Sequence, residues 1–153
     1  MSGMMNSFKE NCLPTLLVYT ADLAATTVTY STVFVDSRLS KNIAFLIYTG
    51  TMGGAWEYFK VAQGTNSSGT SPQVNTAPAL VTGTNATFAA SQWHLIDLGT
   101  ESLTASTSTY PYVGIAYKLS DDTGTNQVTI MAIQYNGHFH APSPTNWSNS
   151  VHS

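Results

Sequence analysis

The sequence predicts an all-β fold, a two-sheet antiparallel sandwich of the jelly-roll kind with about eight strands and extended arms at both ends. Three observations carry that prediction. Short apolar or alternating runs are divided by turn residues throughout, and no segment repeats another. Tyr110–Leu119 alternates cleanly, with Val113, Ile115, Tyr117 and Leu119 on one face and Tyr112, Gly114, Ala116 and Lys118 on the other. The 153 residues are a single-domain length, and a 42% hydrophobic fraction supplies a core without a disulfide or metal.

Taken in order, residues 1–14 read as an N-terminal arm, with Met1, Met4 and Met5 among polar residues and Pro14 at its end. The sandwich is expected over 15–137. Leu16–Thr20 is the first candidate strand, and Thr26–Asp36 the second, closing through Val33, Phe34 and Val35. Ile43–Tyr48 is a continuous apolar run, the pattern of a central strand covered on both faces. Thr49–Gly54, with three glycines, is a turn or bulge. Trp56–Ala62 resumes as a strand with Glu57 and Lys60 toward solvent.

Gly64–Thr76 reads as a long polar loop. Ala79–Thr82 and Ala86–Ala90 are weaker segments, the second compatible with a short helix. Trp93–Leu98 is a strand, Gly99–Thr109 a polar loop, Asp121–Asn126 a hairpin turn and Gln127–Tyr135 its returning strand. From His138 the chain loses periodicity and carries Pro142 and Pro144, so 138–153 reads as an extended strap.

Charge is the unusual quantity. Only 8% of residues are charged, against roughly 25% in an ordinary domain, and the net charge is -3. Lys9, Arg38, Lys41, Lys60 and Lys118 are too few and too scattered for the basic stripe that nucleic acid requires. No basic amphipathic helix suits a membrane surface. Polarity comes instead from 22 Thr, 17 Ser and 10 Asn. Surfaces that meet other protein are depleted in charge, so this composition points to contacts; a secreted β-protein has the same signature. The N-terminal segment lacks a signal-peptide layout, and synthesis in a cytoplasm is the expectation.

Groups that do chemistry are sparse. His138 and His140 share one strand face, but a third metal ligand would have to come from His94, His152 or a distant carboxylate, and Cys12 is the only thiol. Asp121–Asn126 has the look of a calcium loop without its later carboxylate, and a plain turn explains it. No serine sits in a Gly-x-Ser-x-Gly elbow, and Glu57, Asp97 and Glu101 are the carboxylates left for hydrolysis. Three Asn-x-Ser/Thr matches are what chance gives in so hydroxyl-rich a chain. No enzyme and no cofactor is expected. Tryptophan within a strand pattern is usually core, which covers Trp56 and Trp93; Trp147, in the strap, is free to fill a neighbour's pocket.

Three stretches then resemble one family. Arg38-Leu39-Ser40-Lys41-Asn42-Ile43 leading into a strand, Tyr110–Tyr117 followed by a Gly-bearing hairpin, and Met131–Gly137 running into Ala141-Pro142 are similar to small jelly-roll proteins encoded beside phage capsid genes. Many of these are head decoration, or cement, proteins of tailed bacteriophages. The resemblance spans roughly Val28–Pro142 and has no catalytic residues to carry over. It implies a structural virion protein on the capsid exterior, made in the host cytoplasm. Its partners are then the major capsid protein and further copies of itself, a homotrimer being the usual state, with no nucleic acid or membrane involved. Phe8, Leu13, Tyr19, His138, His140 and Trp147 are the candidate contact residues. The alternative is a carbohydrate- or receptor-binding sandwich module of a phage fibre or tail, which calls for exposed aromatic rings on a concave face.

Overall fold

The computed structural model describes residues 12–20, 22–81, 91–120 and 125–137. Their strands are β1 (Cys12–Thr20), β2 (Thr29–Tyr30), β3 (Val35–Asp36), β4 (Ser40–Met52), β5 (Trp56–Gly64), β6 (Gln73–Val81), β7 (Gln92–Gly99), β8 (Tyr112–Leu119) and β9 (Asn126–Gly137). One sheet has the order β1-β9-β4-β7; the other has β2-β8-β5-β6, with β3 also on β8. β2 and β3 therefore act as one interrupted strand. The antiparallel pairs nest in sequence: β1 with β9, β2/β3 with β8, β4 with β7 and β5 with β6. They alternate between the two sheets, which is the strand order of an eight-stranded jelly roll and confirms the expected fold class.

The core lies between the sheets. From the first come Ile43, Phe45, Ile47, Val128, Ile130 and Ala132, and from the second Trp56, Phe59, Val61, Val113, Ile115, Tyr117 and Leu119. Trp56 packs edge-on against Phe59 at 5.0 Å between ring centroids and against Tyr117 at 6.3 Å. The alternation read in Tyr110–Leu119 thus names the inward side chains of β8 correctly.

β1 starts at Cys12, earlier than Leu16, so the boundary expected after residue 14 falls within a strand. Its register shifts between Leu16 and Val18. That bulge lets Leu17 and Val18 both turn into the core while Leu16 and Tyr19 both face out, which strict alternation forbids.

The single strand expected over Thr26–Asp36 is broken. Ser31 leaves the ladder to trade bonds with Ile115: its N–H donates to the Ile115 carbonyl at 2.8 Å, and its Oγ accepts from the Ile115 N–H at 3.1 Å. The chain then folds Phe34 onto the outside of the second sheet. A side chain at Gly69 or Gly114 would collide with the Phe34 ring, and Gly69 also has φ +67°. Phe34, Ala62 and Ala116, with Tyr30, Tyr58 and Tyr112 against them, form a small second cluster on this outer face.

The long loop expected over Gly64–Thr76 is shorter, because β6 begins at Gln73. Asn66 folds the connection: its Oδ1 accepts from the N–H groups of Ser68 (3.0 Å) and Thr70 (3.2 Å). The segment 86–90, the turn residues 121–124 and both expected arms up to 11 and from 138 lie outside the described residues.

Buried amides fasten the loops. Gln63 donates to the carbonyls of Ala105 (3.2 Å) and Tyr110 (2.9 Å) and accepts from the Ala105 N–H (2.9 Å). Gln134 donates to the Asp36 carbonyl at 2.6 Å. Asn126, which the sequence places in a hairpin turn, is fully buried at the start of β9. Its Oδ1 accepts from the N–H groups of Gly53 (2.9 Å) and Gly54 (2.8 Å), and its Nδ2 donates to the Leu23 carbonyl (3.2 Å). Asn126→Ala strips these partners from two loops at once. Its expected cost is about 3 kcal/mol, read as a lower urea midpoint at constant slope.

Candidate contact surface

The two sheets differ on their outer faces. The β2/β3-β8-β5-β6 sheet wears the Phe34 cluster and carries charge. Lys118 pairs with Glu57 at 2.8 Å, Lys60 lies 5.0 Å over the Tyr58 ring, and Arg38 lies 5.7 Å over Tyr112. Glu57 and Lys60 are half-buried by these contacts rather than simply solvated.

The outer face of the β1-β9-β4-β7 sheet is laid out by its registers in four rows across the strands. One row is Leu16, Met131, Leu46 and Leu95. The next is Pro14, Ile133, Ala44 and Asp97. Tyr19, Thr129, Tyr48 and Trp93 form the row at one end, and Cys12, Tyr135, Asn42 and Gly99 the row at the other. Tyr19 is 76% exposed, Trp93 63%, Leu95 58% and Leu16 50%. The double cover expected for Ile43–Tyr48 is therefore absent among the described residues. Ile43, Phe45 and Ile47 are fully buried, while Ala44, Leu46 and Tyr48 are half-exposed on this face. Trp93 likewise departs from the expectation that a strand tryptophan is core.

The rows hold one charged side chain, Asp97. The Tyr135 hydroxyl donates to its Oδ1 at 2.6 Å, a bond that also raises the Tyr135 phenol above its ordinary pKa. On the reverse of the same sheet His94 sits half-buried, and burial lowers its pKa, which favours the neutral imidazole. A monomer rarely leaves so continuous an apolar sheet face to water, and such patches mark interaction sites.

Of the residues singled out from sequence, Tyr19 stands on this face. Leu13 pairs with the inward-facing Gln134 and is half-buried on the opposite side of the sheet. Phe8, His138, His140 and Trp147 lie outside the described residues. Leu16, Leu46, Leu95, Met131 and Ile133 were not singled out, and Trp93 was expected in the core. Their signal was apolar residues at both parities of one strand, as in β4, β7 and β9. Double cover of every such strand needs a third layer, and the described strands form only two.

No family model matches the chain, and no curated protein matches it. Among solved structures it is similar to the "Structure of infectious bursal disease virus Gx strain", at 11% identity and a TM-score of 0.41. The alignment covers 89% of this chain and 33% of that one, so this chain spans about a third of that chain's length.

Among the depressions on the surface, three bear on the contact faces. One of about 350 Å³ is lined by Ser37, Arg38, Ser40, Thr100, Glu101 and Thr107, and one of about 250 Å³ lies beside it, also against Arg38. Lys41 lines the second, while Arg38, common to both, is paired. Asp36 takes the Arg38 guanidinium at 2.8 and 2.6 Å, and this bond holds its carboxyl below the usual range. The third, about 200 Å³, opens on the apolar face between Tyr19 and Tyr48. Among the described residues no group of three His, Cys, Asp or Glu side chains could hold a metal ion.

Proposed function

We propose that this chain is a structural protein of a virus particle that acts by contact and not by catalysis. In the finer form of this reading it is a head decoration protein. It binds the outside of a tailed-phage capsid as a homotrimer and joins neighbouring major capsid subunits. The apolar outer face of the β1-β9-β4-β7 sheet carries the proposal. It is charge-depleted on a chain that is already charge-poor, and it belongs to a fold that serves in viral shells.

The size of the face suits such a role. Strands about 4.8 Å apart and rows about 6.8 Å apart give roughly 300–500 Å² of flat area. A stable binary complex uses about 800 Å² per partner. One such contact is weak, and a shell that repeats it many times gains the strength by avidity. The chain ends add to this. Cys12 pairs with Tyr135, and Gly137 pairs with Ser40, so β1 begins and β9 ends at the same end of the sheet. The reading assigns further contacts to Phe8, His138, His140 and Trp147.

The test is co-sedimentation with capsids assembled from the major capsid protein of the same genome, paired with light scattering of the free protein. Saturable binding at a fixed number per shell is expected. A monomer that stays in the supernatant at every capsid concentration would falsify the reading.

A further inference from the structure

The Tyr19 end of the apolar face has a shape of its own. Thr129 on β9 lies between Tyr19 on β1 and Tyr48 on β4, directly paired with both. A small residue flanked by two aromatic ones leaves a notch. Tyr19, Thr20, Tyr48, Gln127, Val128 and Thr129 line it, with a volume of about 200 Å³. The tyrosines stand two strands apart, so their Cα atoms are about 9.6 Å from each other. Carbon atoms in contact lie about 3.5–4.0 Å apart, so the gap admits a slab one ring thick. Trp93 supports the outer side of Tyr48, with ring centroids 4.8 Å apart and a 45° tilt.

The chemistry of the lining selects the occupant. Among the described residues, none that lines the notch is charged. The walls are aromatic, and the outward-facing Thr129 and Gln127 add a hydroxyl and an amide. Gln127 is anchored, its Oε1 accepting from the Thr51 N–H at 3.3 Å. Aromatic walls suit the C–H faces of a sugar ring, and uncharged donors and acceptors suit the hydroxyls at its edge. A proline ring shares the apolar faces but leaves the polar rim without partners.

We infer that this notch binds one neutral pyranose ring, held between Tyr19 and Tyr48 and hydrogen-bonded by Gln127 and the Thr129 hydroxyl. The notch lies at one end of the face proposed for capsid contact, but sugar binding does not depend on that reading.

The experiment is a titration of the full chain with methyl glycosides of glucose, galactose and N-acetylglucosamine. It is followed by amide chemical shifts and by tryptophan fluorescence. Saturable shifts centred on Tyr19, Tyr48, Gln127 and Thr129, with a response from the Trp93 indole, are expected at millimolar sugar. Tyr19→Ala weakens binding about tenfold. Thr129→Leu fills the notch and abolishes binding at an unchanged thermal midpoint. The inference is overturned if none of the three glycosides gives a saturable shift, or if the shifts survive both substitutions. A response to a proline-rich peptide with none to the sugars also overturns it. None of these results bears on capsid co-sedimentation, so the two readings fail separately.

Discussion

Leu16→Asp combined with Leu95→Asp abolishes capsid binding in the co-sedimentation assay while the protein stays folded. The two leucines sit at opposite ends of one row across the apolar face, on the edge strands β1 and β7. Both are at least half exposed, so the monomer gives up little packing when they change. In a complex they would be covered. Aspartate is too short to lift its carboxylate back into water, and a buried, uncompensated charge is among the most costly changes at an interface. The expected loss is about 100-fold or more, which corresponds to about 2.7 kcal/mol. Lys60→Asp is the control, because Lys60 lies on the opposite sheet over the Tyr58 ring; its binding is expected to match the wild type. Double-variant protein that still decorates shells at full stoichiometry would remove this face as the contact surface.

Trp56→Ala lowers stability by about 3–5 kcal/mol, whereas Trp93→Ala changes it by less than about 1 kcal/mol. Trp56 is fully buried at the start of β5, wedged against Phe59 and Tyr117. Its removal leaves a cavity at the centre of the sandwich. Domains of this size are stable by only about 5–15 kcal/mol, so the loss takes a large share of the total. At roughly 2–4 °C per kcal/mol, the thermal midpoint drops by roughly 6–20 °C. Trp93 touches Tyr48 but is otherwise largely in water. Thermal melts of the two variants side by side check both statements. Equal losses would mean that the Trp93 face is packed like a core, and the contact reading would lose its main support.

The two tryptophans also show where sequence reading stops. Both begin a short apolar strand, and nothing local separates them. Which of them enters the core depends on the face that the partner strands turn inward, a fact set by register across the sheet. The same limit applied to Ile43–Tyr48. A continuous apolar run looks alike whether its second face meets a layer of its own chain or is left open. The break between β2 and β3 was equally hidden, since Phe34 leaves the strand to cover glycines at positions 64, 69 and 114, far away in sequence. Nothing local in the sequence marks Gln63, Asn126 and Gln134 as buried; the loops they fasten close over them.

What the sequence determined by itself was local and periodic. It set the all-β class, most strand positions, the inward set of β8 and the scarcity of charge, because side-chain alternation and turn chemistry are fixed within a few residues. The tertiary structure alone decided the nested strand order, the bulge at Leu17 and which sheet face stays uncovered among the described residues. Each of these joins residues from strands far apart in the chain, and long-range pairing leaves no mark on the residues next to it.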